Sequence, residues 1–225
     1  MKNESKNKNG AGIMIVDDHP FVRYGLKQLI SAEPDLAVCC EAGSCREALE
    51  TLETSNPDLA IVDLSLKDGS GIELIKDMRK KYPSVPVLVL SMHDESLYAE
   101  RALKAGAKGY IMKQEGTEIL VKAIRSILSG QIFVSRALSS KLITKKAGYS
   151  SASEDSCVEC LSDRELQVFE LIGKGLKTSS IAELLNLSVK TIETYRGNIK
   201  MKLDLTDASE LFREATLWVA SLGGK

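Results

Sequence analysis

Five side chains that suit phosphoryl chemistry follow apolar runs in the first half of the 225-residue chain. Asp17 and Asp18 follow the first run, Asp63 the third, Ser91 the fourth and Lys113 the fifth. Three carboxylates brought together repel one another unless a cation lies between them, and Mg²⁺ takes carboxylates together with phosphate oxygens. A carboxylate can also act as a nucleophile, while an ammonium and a hydroxyl can bind the oxygens of a phosphoryl group. These residue types therefore indicate acceptance of a phosphoryl group.

The elements that must position these side chains are five apolar runs alternating with amphipathic stretches. Several runs are continuously apolar, which is typical of parallel strands buried on both faces. The alternation predicts an α/β fold, a doubly wound parallel five-stranded sheet with helices on both faces. The predicted strands are residues 13–16, 36–40, 59–62, 85–90 and 109–112, and the predicted helices are residues 21–31, 44–54, 70–81, 96–105 and 117–129.

This fold predicts that the five side chains meet. In an open parallel sheet the carboxyl ends of the strands share one edge, and ligands bind there at the switch point in strand order. With a flavodoxin-like order of 2-1-3-4-5, Asp17, Asp18 and Asp63 would converge, with Ser91 and Lys113 close by. A single Asp after a strand is usually a helix cap or a turn residue. Suitable residues at the ends of four strands are not explained that way.

The composition of the remaining segments sets the domain limits. Residues 1–11 are polar and lack the apolar core of a secretory signal, which predicts a disordered tail. Residues 133–157 break the alternation of apolar runs and amphipathic stretches, and the stretch KKAGYSSASEDSC at their end is rich in Ser, Gly and Ala. This composition predicts a poorly ordered linker between a first domain at residues 12–132 and a second at residues 158–225. No apolar run reaches the roughly 18 residues of a membrane span, so we expect a cytoplasmic protein without membrane contact.

The five cysteines are an odd number, which argues against a disulfide scaffold. Cys157 and Cys160 have the spacing of half a zinc site or of a redox pair. No second Cys pair or His cluster completes a zinc site in the sequence, and no βαβ unit places the motif as in a redox fold. Unpaired thiols in a linker are the favoured interpretation.

Residues 158–225 carry the signals of a small all-α domain. Ser162 and Glu165 have the spacing of a capping box, and Gly173 or Gly175 suits the end of the same helix. A short helix at residues 179–185, a tight turn and a third helix capped by Ser188 follow. Helix, tight turn and helix at this spacing predict a helix-turn-helix domain, whose second helix can enter the major groove of DNA.

The third helix combines an apolar stripe of Val189, Ile192, Ile199 and Leu203, opposite its exposed side, with a basic run. Residues 190–202 hold four basic side chains and one acidic side chain, which is the charge pattern that DNA phosphates attract. The whole domain holds 9 Lys and Arg against 10 Asp and Glu, which also fits a helical bundle with a solvated charged side. The residues predicted to face double-stranded DNA are Lys190, Glu193, Thr194, Arg196, Gly197 and Lys200.

Residues 12–132 resemble the receiver domain of two-component response regulators. Asp17 and Asp18 match the acidic pair of that family, Asp63 its phosphoacceptor, Ser91 its conserved hydroxyl and Lys113 its invariant lysine. The resemblance implies transfer of a phosphoryl group from a histidine kinase to Asp63 with Mg²⁺ as cofactor, and slow autodephosphorylation.

The same resemblance implies two further roles. Tyr110 matches the aromatic switch position that rearranges together with Ser91, and the backbone carbonyl of Ser65 would be a third protein ligand of Mg²⁺. The family commonly has Pro where this chain has Lys67 and Gln114, which bears on loop stiffness and on the lifetime of the phosphorylated state. His19 and His93 flank the site in sequence and receive no role.

Residues 158–225 resemble the LuxR-type helix-turn-helix, and the whole chain is similar to a NarL/FixJ-family response regulator. The matching segments are Leu161-Ser-Asp-Arg-Glu165, Ile172-Gly-Lys-Gly-Leu176 and Ser188-Val-Lys-Thr-Ile192. The last of these adds Thr191 to the residues expected at DNA. The resemblance implies a transcription factor and not an enzyme, one that forms a homodimer on DNA when Asp63 is phosphorylated.

Two residues of the third helix favour a different function. Glu193 cannot pair with a phosphate, although it could accept a hydrogen bond from cytosine N4. Gly197 offers no side chain to a base and costs about 1 kcal/mol of helix stability. The alternative is a phosphotransfer or protein-interaction module with a degenerate helix-turn-helix that does not bind DNA specifically. A metabolic phosphatase with the same sheet would leave the C-terminal domain unexplained.

Overall fold

A computed structural model describes residues 10–146 and 157–222 of the chain, which divide into two compact units with the boundary between Gly148 and Tyr149. Residues 1–9 of the predicted tail and residues 147–156 of the predicted linker lie outside the described residues. The predicted domain limits at residues 132 and 158 stay predictions.

A parallel sheet and a short hairpin hold the strands of the first unit. The sheet strands are β1 (Ala11–Val16), β2 (Leu36–Ala42), β3 (Leu59–Val62), β6 (Val87–Ser91) and β7 (Gly109–Met112), and β4 (Ser65–Leu66) pairs with β5 (Gly69–Ser70) in the hairpin. The sheet order is β2-β1-β3-β6-β7 with every pairing parallel. This confirms the predicted five-stranded doubly wound fold, since β6 and β7 are the fourth and fifth predicted strands.

The helices of the first unit are α1 (Pro20–Ser31), α2 (Cys45–Thr54), α3 (Gly71–Lys81), α4 (Glu95–Ala105), α5 (Thr117–Leu128) and α6 (Arg136–Lys146). Short polar side chains start three of them by accepting a hydrogen bond from the first helical turn, as N-caps do. Ser44 accepts from Glu47 N at 3.1 Å, and Asp94 accepts from Ser96 N at 2.8 Å. Ser70 caps α3 in the same way.

Both faces of the sheet are buried. Ile13 and Ile15 of β1 belong to a core cluster with side chains of α1 and α5, among them Ile30 and Ile124. Met14, on the opposite face of the same strand, is fully buried as well. Because each such side chain contributes about 1.5–3 kcal/mol when it leaves water, the strands are held firmly and their carboxyl ends share a fixed edge.

The first unit extends into the segment that composition predicted as linker. Tyr110 N of β7 donates to Phe133 O at 3.1 Å, and Phe133 N donates to Lys108 O at 2.9 Å. Beyond it α6 buries Leu138, whose exposed fraction is 4%. The α6 sequence is mostly polar and does not show apolar residues repeating at the helical spacing, so this helix was not predicted.

The second unit consists of a short 3-10 helix (Cys157–Cys160) followed by α7 (Asp163–Gly173), α8 (Thr178–Leu184), α9 (Val189–Lys202) and α10 (Ala208–Leu222). The predicted capping box is present, since Glu165 Oε2 accepts from Ser162 N at 2.7 Å and Ser162 Oγ accepts from Glu165 N at 3.4 Å. Asn186, with φ at 51°, makes the tight turn between α8 and α9. The helix-turn-helix layout is therefore confirmed.

Packing in the second unit fixes α9 on one side only. Ile192 and Ile199 are fully buried, but Val189, from the same apolar stripe, is 52% exposed. Side chains in a helix lean toward its N-terminus and pack on the preceding turn. Val189 is the first residue of α9, so it has no preceding helical turn to pack on. The ring of Phe169 lies 5.4 Å from that of Trp218, joining α7 to α10.

Candidate functional site

A buried ammonium joins two carboxylates at the carboxyl edge of the sheet. Lys113 Nζ lies 2.6 Å from Asp63 Oδ2 and 2.7 Å from Asp17 Oδ2. The side chains are 3–4% exposed for the two aspartates and 11% exposed for the lysine. The neighbouring strands β1 and β3 place the carboxylates, because Asp63 N donates to Val16 O at 2.9 Å. Three of the predicted residues therefore meet in the structure.

The acidic cluster has the donor set of a divalent-cation site. One ligand atom from each of Asp17, Asp18, His19 and Asp63 lies within 4.8 Å of the others. His19 Nδ1 lies 2.6 Å from Asp18 Oδ1, and His19 N donates to Asp17 Oδ1 at 2.8 Å. Carboxylate oxygens at the open edge of a sheet fit Mg²⁺, a hard cation that keeps several waters and takes one or two carboxylates plus phosphate oxygens.

Burial and charge act against each other at this centre. Burial raises the pKa of the Asp63 carboxyl, and the Lys113 ammonium opposes that rise without cancelling it. Burial would lower the pKa of Lys113, but the charges of Asp63 and Asp17 outweigh burial and raise it. A cation placed among the carboxylates would favour the ionised form of Asp63, which is the form that acts as a nucleophile.

Ser91 and Tyr110, the predicted switch residues, are both buried. The Tyr110 hydroxyl points inward and donates to His93 O at 2.8 Å, and burial raises the pKa of this phenol. His93 N donates to Ser91 Oγ at 3.2 Å, and Lys113 N donates to Ser91 O at 2.8 Å. The serine, the tyrosine and the lysine are thus tied to one loop, residues 91–94.

The loop after Asp63 is held by contacts that the sequence did not reveal. Ser65 N donates to Asp63 Oδ1 at 3.3 Å, and Ser65 Oγ lies 2.9 Å from His93 Nε2. Where the family commonly has Pro, Lys67 begins the turn of the β4–β5 hairpin, and the Asp68 carboxylate accepts from Cys45 N and Arg46 N at 2.7 and 3.0 Å. Asp68 therefore fastens the hairpin to the start of α2.

Gly71, which follows the hairpin, allows a close approach of backbones. A Cβ added there would lie 2.2 Å from Asp63 O and 2.7 Å from Leu64 Cα. Gly71 N donates to Leu64 O at 2.9 Å. The start of α3 thus lies directly against the peptide group that carries Asp63.

The predicted DNA-facing residues share one side of α9 but differ in exposure. Lys190, Glu193, Thr194 and Gly197 are exposed, whereas Thr191, Arg196 and Lys200 are half-buried. Ser188 caps the helix by accepting from Thr191 N at 3.0 Å, and the hydroxyls of these two residues lie 2.8 Å apart. This face is therefore available to a partner along most of its length.

Two of the four basic residues in the run 190–202 already have acidic partners. Lys202 Nζ lies 2.6 Å from Glu165 Oε2 of the capping box, so it stabilises the fold. Burial would raise the pKa of Glu165, but Lys202 and Ser162 together lower it. Arg196 Nε lies 3.6 Å from Glu193 Oε2. The charge that α9 presents is thus weaker than its sequence indicates.

Some residues at the site escaped sequence reasoning. His93, which received no role, contacts Ser65 with its ring and accepts from Tyr110 with its carbonyl. His19 lies among the carboxylates. The only signal was position: each histidine stands two residues after a strand-end residue, Asp17 or Ser91. Asp68 carried no signal, because its contact with α2 depends on the hairpin.

Family comparisons agree with both units. Residues 13–125 match the model of the response regulator receiver domain, and residues 159–215 match that of bacterial regulatory proteins of the luxR family. The chain belongs to the response regulators. The predicted resemblance to a receiver domain followed by a LuxR-type helix-turn-helix is therefore confirmed. The predicted function as a two-component response regulator is confirmed with it.

Relatives of this response regulator cover most of its length. The oxygen regulatory protein NreC of Staphylococcus epidermidis is 35% identical over 208 residues, which cover 90% of this chain and 95% of that protein. A solved structure of RcsB from Salmonella enterica serovar Typhimurium, bound to the promoter rprA in the presence of phosphomimetic BeF3⁻, is 26% identical with a TM-score of 0.61, covering 92% of this chain and 99% of that one.

A second RcsB structure, with two dimers bound to two parallel DNAs, is 27% identical with a TM-score of 0.57, covering 91% of this chain and 97% of that one. Among residues 10–146 and 157–222 of the response regulator, no helix is long and apolar enough to cross a membrane.

Proposed function

We propose that Asp63 is the phosphoacceptor of this response regulator and that a histidine kinase supplies the phosphoryl group. The observation that carries the proposal is Lys113 Nζ lying between Asp63 and Asp17, both buried, at 2.6 and 2.7 Å. An ammonium held there can neutralise the oxygens of an incoming phosphoryl group. Apolar side chains in the same place would stabilise the fold at least as well as these buried charges. Stability alone therefore does not explain the charges.

Mg²⁺ would be held by the carboxylates of Asp17, Asp18 and Asp63 and by the backbone carbonyl of Ser65. When bound, it supplies positive charge for the phosphoryl oxygens. An Asp63 oxygen forms a bond to phosphorus as the phosphorus–nitrogen bond of the kinase phosphohistidine breaks. Lys113 stays protonated and orients the phosphoryl oxygens, and the Ser91 hydroxyl donates a hydrogen bond to one of them.

Ser91 and Tyr110 form the switch in this proposal. When the Ser91 hydroxyl turns to the phosphoryl group, the His93 N–H loses its acceptor, and the residue 91–94 loop is free to shift. Because Tyr110 is held by the His93 carbonyl, a shift of that loop releases the tyrosine hydroxyl. The surface around α4 and β7 then changes with the state of Asp63.

The phosphoacceptor is tested by incubating the full chain with Mg²⁺ and acetyl phosphate and measuring the intact mass. Wild type should gain one phosphoryl group, whereas Asp63→Asn and wild type with EDTA should not. Asp58→Asn is the matched control, since Asp58 lies at the opposite end of β3 and accepts from Gly12 N, which Asn can also do. Equal labelling of wild type and Asp63→Asn would overturn the proposal.

We further propose that the second unit binds double-stranded DNA as a homodimer and so controls transcription. Its support is the α9 face, with Lys190, Thr194 and Lys200 on it, together with membership of the luxR family of bacterial regulators. The RcsB structures on DNA, one of them containing dimers, support the same arrangement. Two units are needed because one small helical module seldom reaches nanomolar affinity alone.

Selection of bound fragments from genomic DNA tests this function. The full chain should enrich a two-half-site sequence, more strongly with acetyl phosphate than without it. Asp63→Asn should show no difference between the two conditions. If neither state enriches a sequence while Asp63 is phosphorylated normally, DNA binding is overturned and phosphoryl transfer is not.

The second candidate function is a phosphotransfer or protein-interaction module. The Glu193–Arg196 pair favours it, because the glutamate reduces the charge that Arg196 can offer to a phosphate. Gly197 favours it too, since it presents no side chain on the exposed face. Genomic selection distinguishes the two candidates, because only a DNA-binding regulator enriches a sequence.

A further inference from the structure

Cys39 and Cys40 are adjacent residues in the edge strand β2, yet their sulfur atoms lie 3.6 Å apart. In a regular strand successive side chains point to opposite faces, so neighbouring cysteines do not bring their sulfurs together. The cause here is a register shift against β1, in which Ile13 pairs with Val38 and Met14 pairs with Cys40. Cys39 is the extra residue of a β-bulge, and bulges re-aim side chains.

The surroundings leave the sulfur pair accessible. Cys39 is exposed and Cys40 is half-buried. A Cβ added to Gly12 of the neighbouring strand would lie 3.4 Å from Cys39 Sγ, so the glycine leaves room for that side chain. Cys40 Sγ lies 3.6 Å from Ser55 Oγ, and the Ser55 hydroxyl donates to Thr51 O at 2.7 Å. A small oxidant can therefore reach a thiol pair that is already positioned.

The two thiols differ in acidity. The hydrogen bond from the Cys39 thiol lowers the pKa of Cys40 to about 6, although burial opposes the change. The same contact raises the pKa of Cys39, because one proton held between two sulfurs favours one thiolate beside one thiol. The contact thus favours a thiolate with a second sulfur next to it, which is the arrangement of redox-responsive cysteines.

We propose that Cys39 and Cys40 form a peroxide-reactive dithiol that oxidises to a disulfide between adjacent residues. The Cys40 thiolate attacks one oxygen of hydrogen peroxide, the O–O bond breaks, hydroxide leaves, and Cys40 becomes a sulfenic acid. The Cys39 thiol loses its proton and attacks the Cys40 sulfur, so that the S–S bond forms and the sulfenic oxygen leaves as water. Two thiols and one peroxide give one disulfide and two waters.

A disulfide between Cys39 and Cys40 should be easy to reduce, because adjacent residues are too close together for an unstrained bridge. Consecutive Cα atoms across a trans peptide lie about 3.8 Å apart, which is shorter than the roughly 4.4–6.8 Å that most disulfides span. A bridge between neighbours is therefore strained, and strained exposed disulfides are readily reduced by cellular thiols. The dithiol can therefore be oxidised and reduced in cycles at the edge of the receiver sheet.

Wild-type protein gives the first test without any substitution. Trypsin cuts after Lys27 and Arg46 and leaves Cys39, Cys40 and Cys45 in one peptide, so Cys45 is an internal control. After treatment of the folded chain with hydrogen peroxide and alkylation, we expect Cys45 alkylated and the other two bridged, with a loss of two hydrogens. Glutathione should restore both thiols. A disulfide that includes Cys45 would overturn the proposal. So would alkylation of both Cys39 and Cys40 after a peroxide dose that oxidises free glutathione.

A variant series gives the second test. The full chain with Cys45, Cys157 and Cys160 replaced by Ser keeps only the dithiol, and its intact mass should fall by two hydrogens with no covalent dimer on a non-reducing gel. Adding Cys39→Ser or Cys40→Ser should abolish that loss. Circular dichroism checks that the variants fold. A loss of two hydrogens that persists in either single-thiol variant, or bridging only between molecules, would contradict an intramolecular dithiol.

Discussion

The charged centre of the receiver unit and the charged face of α9 are built in opposite ways. Lys113 and its partners Asp17 and Asp63 are almost completely buried, and both contacts are shorter than 2.8 Å. Arg196 and Glu193 lie on a helix surface at 3.6 Å, with the Glu193 side chain 56% exposed. Charges in the interior interact strongly and in one geometry, whereas exposed pairs contribute roughly 0–1 kcal/mol.

This difference separates a site that is already assembled from one that its partner completes. At the sheet edge, burial holds each group in place before a phosphoryl group arrives, at a cost in stability. On α9, side chains such as Lys190 keep their freedom and take up a geometry only when DNA supplies the opposite charge. The predictions below follow this contrast, from the largest expected effect to the smallest.

Lys113→Ala should give the largest loss of stability, because it leaves the carboxylates of Asp17 and Asp63 buried together without an ammonium. Removing one partner of a buried pair costs about 3–5 kcal/mol. Urea unfolding followed by circular dichroism in EDTA should show this loss in the first unit, and added Mg²⁺ should recover part of it.

The matched control is Lys104→Ala. Lys104 pairs with Glu100 at 2.8 Å but its side chain is 68% exposed, so its removal should change the free energy of unfolding by less than about 1 kcal/mol. Equal losses in the free energy of unfolding for Lys113→Ala and Lys104→Ala would contradict the claim that buried charge pairs matter more for stability than exposed pairs.

One carboxyl in each unit should contribute to stability with an opposite dependence on pH. Because the pKa of Asp63 is raised from 3.8, ionising it costs the folded state, so the free energy of unfolding falls as pH rises from below about 4 through that raised pKa. Because the pKa of Glu165 is lowered from 4.5, its stabilisation is present above that value and is lost as pH falls.

Denaturant titrations across this pH range check both signs. Trp218 is the single tryptophan and packs on Phe169, so its fluorescence reports the second unit. Asp63→Asn should remove the Asp63 contribution from the pH response of the first unit. Glu165→Gln, which keeps the capping box, should remove the Glu165 contribution from the pH response of the second unit. If Glu165→Gln left the pH response of the second unit unchanged, the assignment of Glu165 would be wrong.

Lys190→Ala should weaken DNA binding by about 1 kcal/mol on any sequence and reduce the slope of log K against log salt by about one, since it removes one phosphate contact. Glu193→Gln should instead strengthen binding, because it releases Arg196 from its partner. Fluorescence anisotropy at several salt concentrations measures both.

Lys174→Ala is the control for Lys190→Ala, because Lys174 follows α7 rather than belonging to α9 and pairs with Glu170 at 2.6 Å. It should leave the salt slope unchanged. An unchanged slope in Lys190→Ala as well would exclude the α9 face as the contact with phosphates.

Gly197→Ala should produce the smallest effect, a gain of about 0.4–1 kcal/mol in the free energy of unfolding, because nothing lies within 4 Å of the added Cβ in the middle of α9. Gly25→Ala in α1 has equally open space and should give a similar gain. Only Gly197→Ala should change DNA affinity. A change in affinity with Gly25→Ala alone would contradict this assignment.

The sequence predicted most where burial leaves few alternatives. Asp63 and Lys113 follow strands so apolar that their ends were clear, and a parallel sheet brings such ends together. The helix-turn-helix was predicted from its capping residues and the spacing of its turn. The N-cap residues, such as Ser44 and Ser162, then set the helix starts to within one residue.

The sequence predicted least where a contact depends on loop geometry. The ring of His93 contacts Ser65 only because two loops lie side by side, and no period in the sequence reports that. The bulge at Cys39 is a single extra residue in an otherwise regular strand. The exposure of Val189 was missed because the period of a helix does not show which residue begins it.

Gly71 limits how this chain can change over generations. Any other residue there would place a carbon atom 2.2 Å from Asp63 O, a backbone atom that cannot rotate away. Every amino-acid substitution of this glycine adds that carbon. Descendants that keep the Asp63 backbone in this position must therefore keep the glycine too, so a change at residue 71 requires a compensating shift of the backbone at residue 63.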